Sequence, residues 1–242
     1  MKYFIPPAIF LFTSIGYLFS QQTILVNFET PNDGYSASST EGSGFTDVFN
    51  RTNYDLNNVN NEDGYYWAVE DLNLSNPIIT VDQITLSNVS VFNFSIDLTS
   101  HHYNDWDESD EVLITYSIDG GAYQDLMSIQ SIFDPNSTFN EPVALDTNFD
   151  GHGDCGQNTT LNALTTGTGA QGCVVSGSDF RTFSSNNIDV SLASTIDIKL
   201  QFIGLTSTDE GLYLDNIKIE LINLTTNDCG ATGTYTYGDN KM

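Results

Sequence analysis

The sequence predicts an all-β protein, a two-sheet antiparallel β-sandwich of the jelly-roll kind. Three observations point there. About ten short segments alternate apolar and polar residues with period two. The stretches between them are rich in Gly, Asn, Asp, Ser and Thr. No stretch carries the 3.6-residue periodicity of an amphipathic helix. Many short strands, each with one apolar face, are stable only when two sheets bury those faces together.

The chain opens Met1-Lys2, continues with an apolar run from Tyr3 to Phe19 and reaches a polar boundary at Ser20-Gln21-Gln22. This is the layout of a secretory signal peptide over residues 1–20, and Pro6, Pro7 and the short length argue against a membrane anchor. The expected domain covers 21–222, and 223–242 is a Gly/Thr/Asn tail or the start of a linker.

Thr23 to Glu29 alternates through Ile24, Val26 and Phe28 and reads as the first strand. Thr30 to Asn61 reads as a long loop. Gly64 to Leu72 is an aromatic strand with Tyr65, Trp67, Val69 and Asp71 in phase. Ile78 to Leu86 follows, then Val89 to Leu98, where Phe92, Phe94, Ile96 and Leu98 share a face. Val112 to Ile118 and Ala122 to Ile129 form a hairpin around Asp119-Gly120-Gly121, residues that tolerate positive φ. Ser131 to Thr182 reads mostly as loop, and Thr182 to Leu192 holds a further strand. Thr195 to Phe202 alternates cleanly, and Gly211 to Ile222 is the last strand, expected beside the first.

The chain has 6 Lys and Arg against 32 Asp and Glu, a net charge of −26. Removal of Lys2 with the signal makes this 5 − 32 = −27. Such a chain repels nucleic acid and anionic membranes, so neither is an expected partner, and cations are its natural counterparts. The oligomeric state is not legible in the sequence.

Asp146-Thr147-Asn148-Phe149-Asp150-Gly151-His152-Gly153-Asp154 places oxygen-bearing side chains at alternate positions before a glycine turn. Ca²⁺ takes roughly 6–8 oxygen ligands, and tight loops supply them with this spacing. Asp146, Asn148 and Asp150 fall at positions 1, 3 and 5, His152 offers its carbonyl at 7 and Asp154 ligates at 9. Gln157 stands where an EF-hand has its bidentate Glu, and no helices flank the loop, so this is a calcium loop on a β-scaffold; the bland alternative is a solvated turn.

In the last strand, Asp215 is in phase with Ile217 and Ile219, and Asp71 is in phase with Trp67 and Val69. A carboxylate on a buried face needs a cation, donors or a local bulge. Two readings stand side by side: Glu29, Asp71 and Asp215 converge on a second calcium, or a bulge at Asp215-Asn216 turns the carboxylate out. The loop His101 to Glu111 has two possible uses: binding a cation through its carboxylates, or offering Tyr103 and Trp106 as stacking surfaces for a sugar with Asp105 and Asp107 as hydroxyl acceptors; its bland reading is a solvated acidic loop. Cys155 and Cys173 bracket one loop and are expected to form a disulfide, which secretion permits, leaving Cys229 odd; the alternative is three unpaired thiols. No GxSxG or HExxH is present, and His101-His102 and the cysteines lack zinc spacing.

Several runs together carry a family likeness. They are Asn27-Phe28-Glu29, Tyr66-Trp67-Ala68-Val69-Glu70-Asp71, Asp105-Trp106-Asp107, Tyr116 to Leu126 around Asp119-Gly120-Gly121, Leu145 to Asp154, and Leu214-Asp215-Asn216-Ile217. In this order the chain resembles the secreted β-sandwich modules of flavobacteria and related Bacteroidetes over about Thr23 to Ile222. The resemblance implies a jelly-roll or concanavalin-like fold with structural calcium and a non-catalytic role; Cys155 and Cys173 are not part of its pattern. The expected function is a secreted, calcium-stabilised binding or adhesion module at the cell surface or outside it, with a polysaccharide or cell-surface glycan as the expected partner. The alternatives are a jelly-roll carbohydrate-active enzyme, hydrolase or lyase, and a structural spacer of a larger surface protein.

Overall fold

The computed structural model describes residues 21–42, 47–54, 59, 64–100, 106–131, 143–146, 148–153, 179–208 and 210–223. The signal segment, the tail, Tyr103, Asp105, Asp154, Cys155 and Cys173 lie outside the described residues.

The strands are β1 (Gln21–Val26), β2 (Tyr35–Ala37), β3 (Val48–Thr52), β4 (Tyr66–Glu70), β5 (Ile78–Thr85), β6 (Val91–Thr99) and β7 (Glu111–Ile118). They continue as β8 (Gln124–Ser131), β9 (Val143–Asp146), β10 (Arg181–Ser184), β11 (Ile188–Asp189), β12 (Thr195–Ile203) and β13 (Leu212–Ile222). One sheet runs β10-β6-β13-β4-β3, with β1 also on β13 and β11 also on β6; the other runs β2-β5-β12-β7-β8-β9. Every pairing is antiparallel. Most connections cross from one sheet to the other, so the chain builds the predicted sandwich.

The core forms where the alternation places it. Phe92, Phe94, Ile96 and Leu98 of β6 and Ile196, Ile198, Leu200 and Phe202 of β12 are all buried. Rings meet across the gap between sheets, Phe49 on Phe202 at 5.3 Å and Phe92 on Tyr116 at 5.6 Å, edge to face. Each such side chain contributes about 1.5–3 kcal/mol by leaving water. The hairpin between β7 and β8 turns through Asp119 (φ 50°) and Gly120 (φ 69°), and Gly121 N donates to Ile118 O at 2.9 Å. Both central residues have positive φ, the type I′ geometry that matches strand twist.

Two features depart from the sequence reading, and a third decides between its two alternatives. The stretch read as a long loop contains β2 and β3, and β9 lies in the second one. Strand β4 is buried on both faces: Trp67 and Val69 enter the main core, while Tyr66 and Ala68 join Val48, Val59 and Tyr213 in a second cluster on the outer side. In β13, the register against β6 slips between Asp215 and Lys218, and Asn216 has φ 47°. That bulge reverses the phase. Leu212 and Leu214 share the main core with Ile217, Ile219 and Leu221, while Tyr213 is in the outer cluster. Asp215 is therefore not on the face of Ile217, and the bulge reading of this strand holds.

Candidate metal centre at the loop end

Two short turns, one from each sheet, meet at one end of the sandwich. Ahead of β7, Asp107 N donates to Asp110 Oδ2 at 2.6 Å and Asp110 N donates to Asp107 O at 3.1 Å. Ahead of β13, Ser207 N donates to Glu210 Oε2 at 2.8 Å and Glu210 N donates to Ser207 O at 3.2 Å. The same device is built twice: a carboxylate reaches back three residues and caps an amide of its own turn. It brings Asp107, Asp110 and Glu210 together, with one carboxylate oxygen from each within 4.8 Å of the others. Asp110 and Glu210 are each only 3% exposed, whereas Asp107 faces solvent.

Three carboxylates so placed repel one another in a poorly solvated position. Burial pushes the Asp110 carboxyl up to about 7; the charges of Glu210 and Asp107 add to the rise, and the amides of Asp107 and Leu205 oppose it. Among the described residues, Arg51 stacks on Tyr65, Lys199 on Tyr123, and Lys218 pairs with Glu220. The donor set is all oxygen, and bonds of roughly 2.3–2.6 Å to one hard cation allow ligand oxygens up to about 5 Å apart. The cluster can hold a metal ion.

The predicted loop after β9 lies next to it. Asp146 is buried, and its Oδ1 accepts from the amides of Asn148 (3.2 Å), Phe149 (2.7 Å) and Asp150 (3.3 Å), while Oδ2 accepts from Gly151 (2.9 Å). Asn148 and Asp150 are exposed and bonded to each other, Asn148 Nδ2 to Asp150 Oδ2 at 3.1 Å. Asp146 thus organises the turn through its amides, and Gly151 supplies the positive φ of 94°. Ser131 ties the loops together: its Oγ donates to Asp107 O at 3.2 Å, and its carbonyl accepts from Gly153 N at 2.8 Å.

The other sequence-predicted residues are distributed differently. Asp215 senses the charges of Asp97 and Glu29, so Glu29 and Asp215 are neighbours. Asp71 is not with them. The ladder Leu212↔Val69 to Leu214↔Trp67 sets Asp71 beyond one of its ends and Asp215 beyond the other, roughly 15 Å apart at about 3.3 Å per residue. Asp71 leaves the strand at φ 53°, and the next amide, Leu72 N, donates to Leu205 O at 2.7 Å. The structure does not assemble Glu29, Asp71 and Asp215 into one site. Trp106 is a second correction: it is 1% exposed and belongs to the core, so its ring is not a stacking surface for a sugar.

Glu210 is the residue that sequence reasoning missed; Asp107 and Asp110 lie in the loop it offered to a cation. A signal was present, since Asp107-Glu108-Ser109-Asp110 and Ser207-Thr208-Asp209-Glu210 are both self-capping spacings directly ahead of strands. Their meeting required the topology.

No family model matches the chain, and no curated protein matches it. Solved structures with a similar layout include the N-terminal CBM22–GH10 modules of Clostridium thermocellum endo-1,4-β-D-xylanase 10B complexed with xylohexaose (12% identity, TM-score 0.38). That match covers 90% of this chain, which spans only 30% of the xylanase chain. A cleaved adhesin domain of Lys-gingipain from Porphyromonas gingivalis is 11% identical with a TM-score of 0.41, covering 82% of this chain and 97% of that one. TmCBM61 in complex with β-1,4-galactotriose is 8% identical with a TM-score of 0.34, covering 81% and 86%. Likeness at this level has no bearing on function.

Proposed function

We propose that this chain is a secreted, non-catalytic β-sandwich binding module whose loop end is organised by calcium, with a polysaccharide or cell-surface glycan as its partner. The observation that carries the calcium reading is the convergence of Asp107, Asp110 and Glu210 from two sheets, two of them buried. An ion seated there joins the turn ahead of β7 to the turn ahead of β13. The adjoining loop offers Asn148 and Asp150 as further oxygen donors.

The acidity of the chain supports the same reading. Self-repulsion of a −26 chain opposes compaction, and each Ca²⁺ offsets two charges. An ion bound only by the native state stabilises it by roughly 2.7 kcal/mol at a hundredfold excess over Kd. Magnesium is a poor substitute, because it demands a smaller octahedral shell. The glycan reading follows from the secretory start and from the repulsion of nucleic acid and anionic membranes.

The test is a calorimetric titration with calcium and with magnesium, followed by a glycan array probed in calcium and in chelator. Calcium binding with calcium-dependent glycan retention is expected. No heat with calcium would remove the metal assignment, and a blank array in both conditions would remove the glycan.

A further inference from the structure

We propose that Asp97 and Asp215 form a proton-operated latch on the seam between β6 and β13. A proton on Asp215 holds the seam closed, and its loss sets two like charges against each other and loosens the bulge. This is independent of the metal reading.

The geometry is that of a facing pair. Asp215 and Asp97 are direct partners in the antiparallel ladder, immediately before the register slips. Residues so opposed carry Cβ atoms roughly 4.5–5.5 Å apart on one face, and like charges there destabilise the sheet. Asp97 is held by neutral donors: Thr182 Oγ1 donates to Oδ1 at 2.5 Å and Asn216 Nδ2 donates to Oδ2 at 3.0 Å. Asp215 Oδ1 accepts from its neighbour, Asn216 N, at 2.7 Å. Asn216 is therefore the hinge of the bulge and a donor to both carboxylates.

The charges that act on Asp215 are those of other carboxylates, Asp97 and Glu29. From the segment after β1 comes a third carboxylate, Glu29, whose Oε1 accepts from Tyr65 N at 2.9 Å. Arg51 of β3 is committed to the carbonyls of Phe28 and Glu29 and to the ring of Tyr65. Lys218 of β13 is 2.5 Å from Glu220. From β10, the Thr182 hydroxyl donates to Asp97, and Arg181 precedes it on the same strand. Burial first, then the charges of Asp97 and Glu29, raise the Asp215 carboxyl to about 7, against one opposing amide from Asn216. The native state thus takes up a proton that the unfolded chain has already lost, and stability falls as pH rises from about 4 to 7.

Carboxyl-carbon NMR titration of the full chain in chelator tests this, together with amide exchange at Asn216, Ile217 and Lys218. A carboxyl titrating near neutrality in the wild type and missing in Asp215→Asn is expected. Exchange at the three amides, corrected for intrinsic rates, should rise about tenfold between about pH 6 and 8.5 in the wild type and stay flat in the variant. Asp97→Asn should lower the midpoint of Asp215, which keeps the test decisive should Asp215→Asn not fold. Absence of any carboxyl that titrates above about pH 5 and responds to Asp97→Asn or Asp215→Asn would overturn the proposal. So would wild-type exchange that does not change with pH.

Discussion

Gly204 and Asp110 leave no space between them. A Cβ on Gly204 would lie 2.1 Å from Asp110 Oδ1 and 2.9 Å from its Cα. Gly204 also sits at φ 82°, where side chains are strained. Gly204→Ala should therefore displace the acidic turn and cost about 2–4 kcal/mol, combining overpacking with the backbone penalty. Urea unfolding measures the loss, and calcium binding should fall with it. An alanine variant of wild-type stability would show that the turn can move freely.

Asp110→Asn and Glu210→Gln each keep size and remove one charged ligand. Each should weaken calcium binding at least about tenfold, near 1.4 kcal/mol, in a titration at fixed ionic strength. Asp150→Ala tests the neighbouring loop separately. Loss of one binding step in that variant, with the other retained, would assign a second ion to the loop.

Trp106 is a large core side chain whose Nε1 has no hydrogen-bond partner among the described residues. Trp106→Ala should cost about 3–5 kcal/mol through the cavity it leaves. Trp106→Phe should be far milder, because no hydrogen bond is lost. Glycan retention by a folded Trp106→Phe variant should be unchanged, as expected of a ring that does not touch ligand.

Asp119 anchors the β7–β8 turn to β12 by accepting from Ser194 N and Thr195 N, each at 2.8 Å. Those amides hold its carboxyl below the usual range. The sign follows: its contribution is present above about pH 4 and is lost as pH falls through the lowered value. Asp119→Ala should lower the melting temperature at pH 7 and flatten its acid limb. Asp119→Asn should be better tolerated, since Asn keeps an acceptor and accommodates positive φ.

Arg51 binds two carbonyls and stacks 3.3 Å over the Tyr65 ring. Lysine lacks the planar fork that does this, so Arg51→Lys should destabilise the fold by about 1–2 kcal/mol in chemical denaturation.

The sequence revealed the sandwich because period-two alternation survives wherever a strand buries one face. It did so in β6 and β12, and the Asp119-Gly120 turn was legible from its φ requirement. It concealed β2 and β3, which are short and set among turn-forming residues. At Asp215 it left two readings open, and one inserted residue at Asn216, which inverts the phase of everything after it, decides for the bulge. The site was half legible. Asp107 and the Asp146 loop lie in visibly acidic stretches, but Glu210 is about a hundred residues from Asp107 in the chain. Trp106 looked exposed because acidic neighbours surround it, yet a core takes single large rings from loops as readily as from strands.

Strand β13 is shared by β1, β4 and β6. Among the described residues, the first strand therefore has its partner in the last. Until residues near Ile217 have been made, β1 waits with an open edge, and β4 and β6 stand without the strand that lies between them. Early domain-wise completion is closed to this chain, and pairing over such long sequence separations is slow. The half-made sheet is the aggregation-prone species, and a chain cut short before Leu212 would keep that hazard for good.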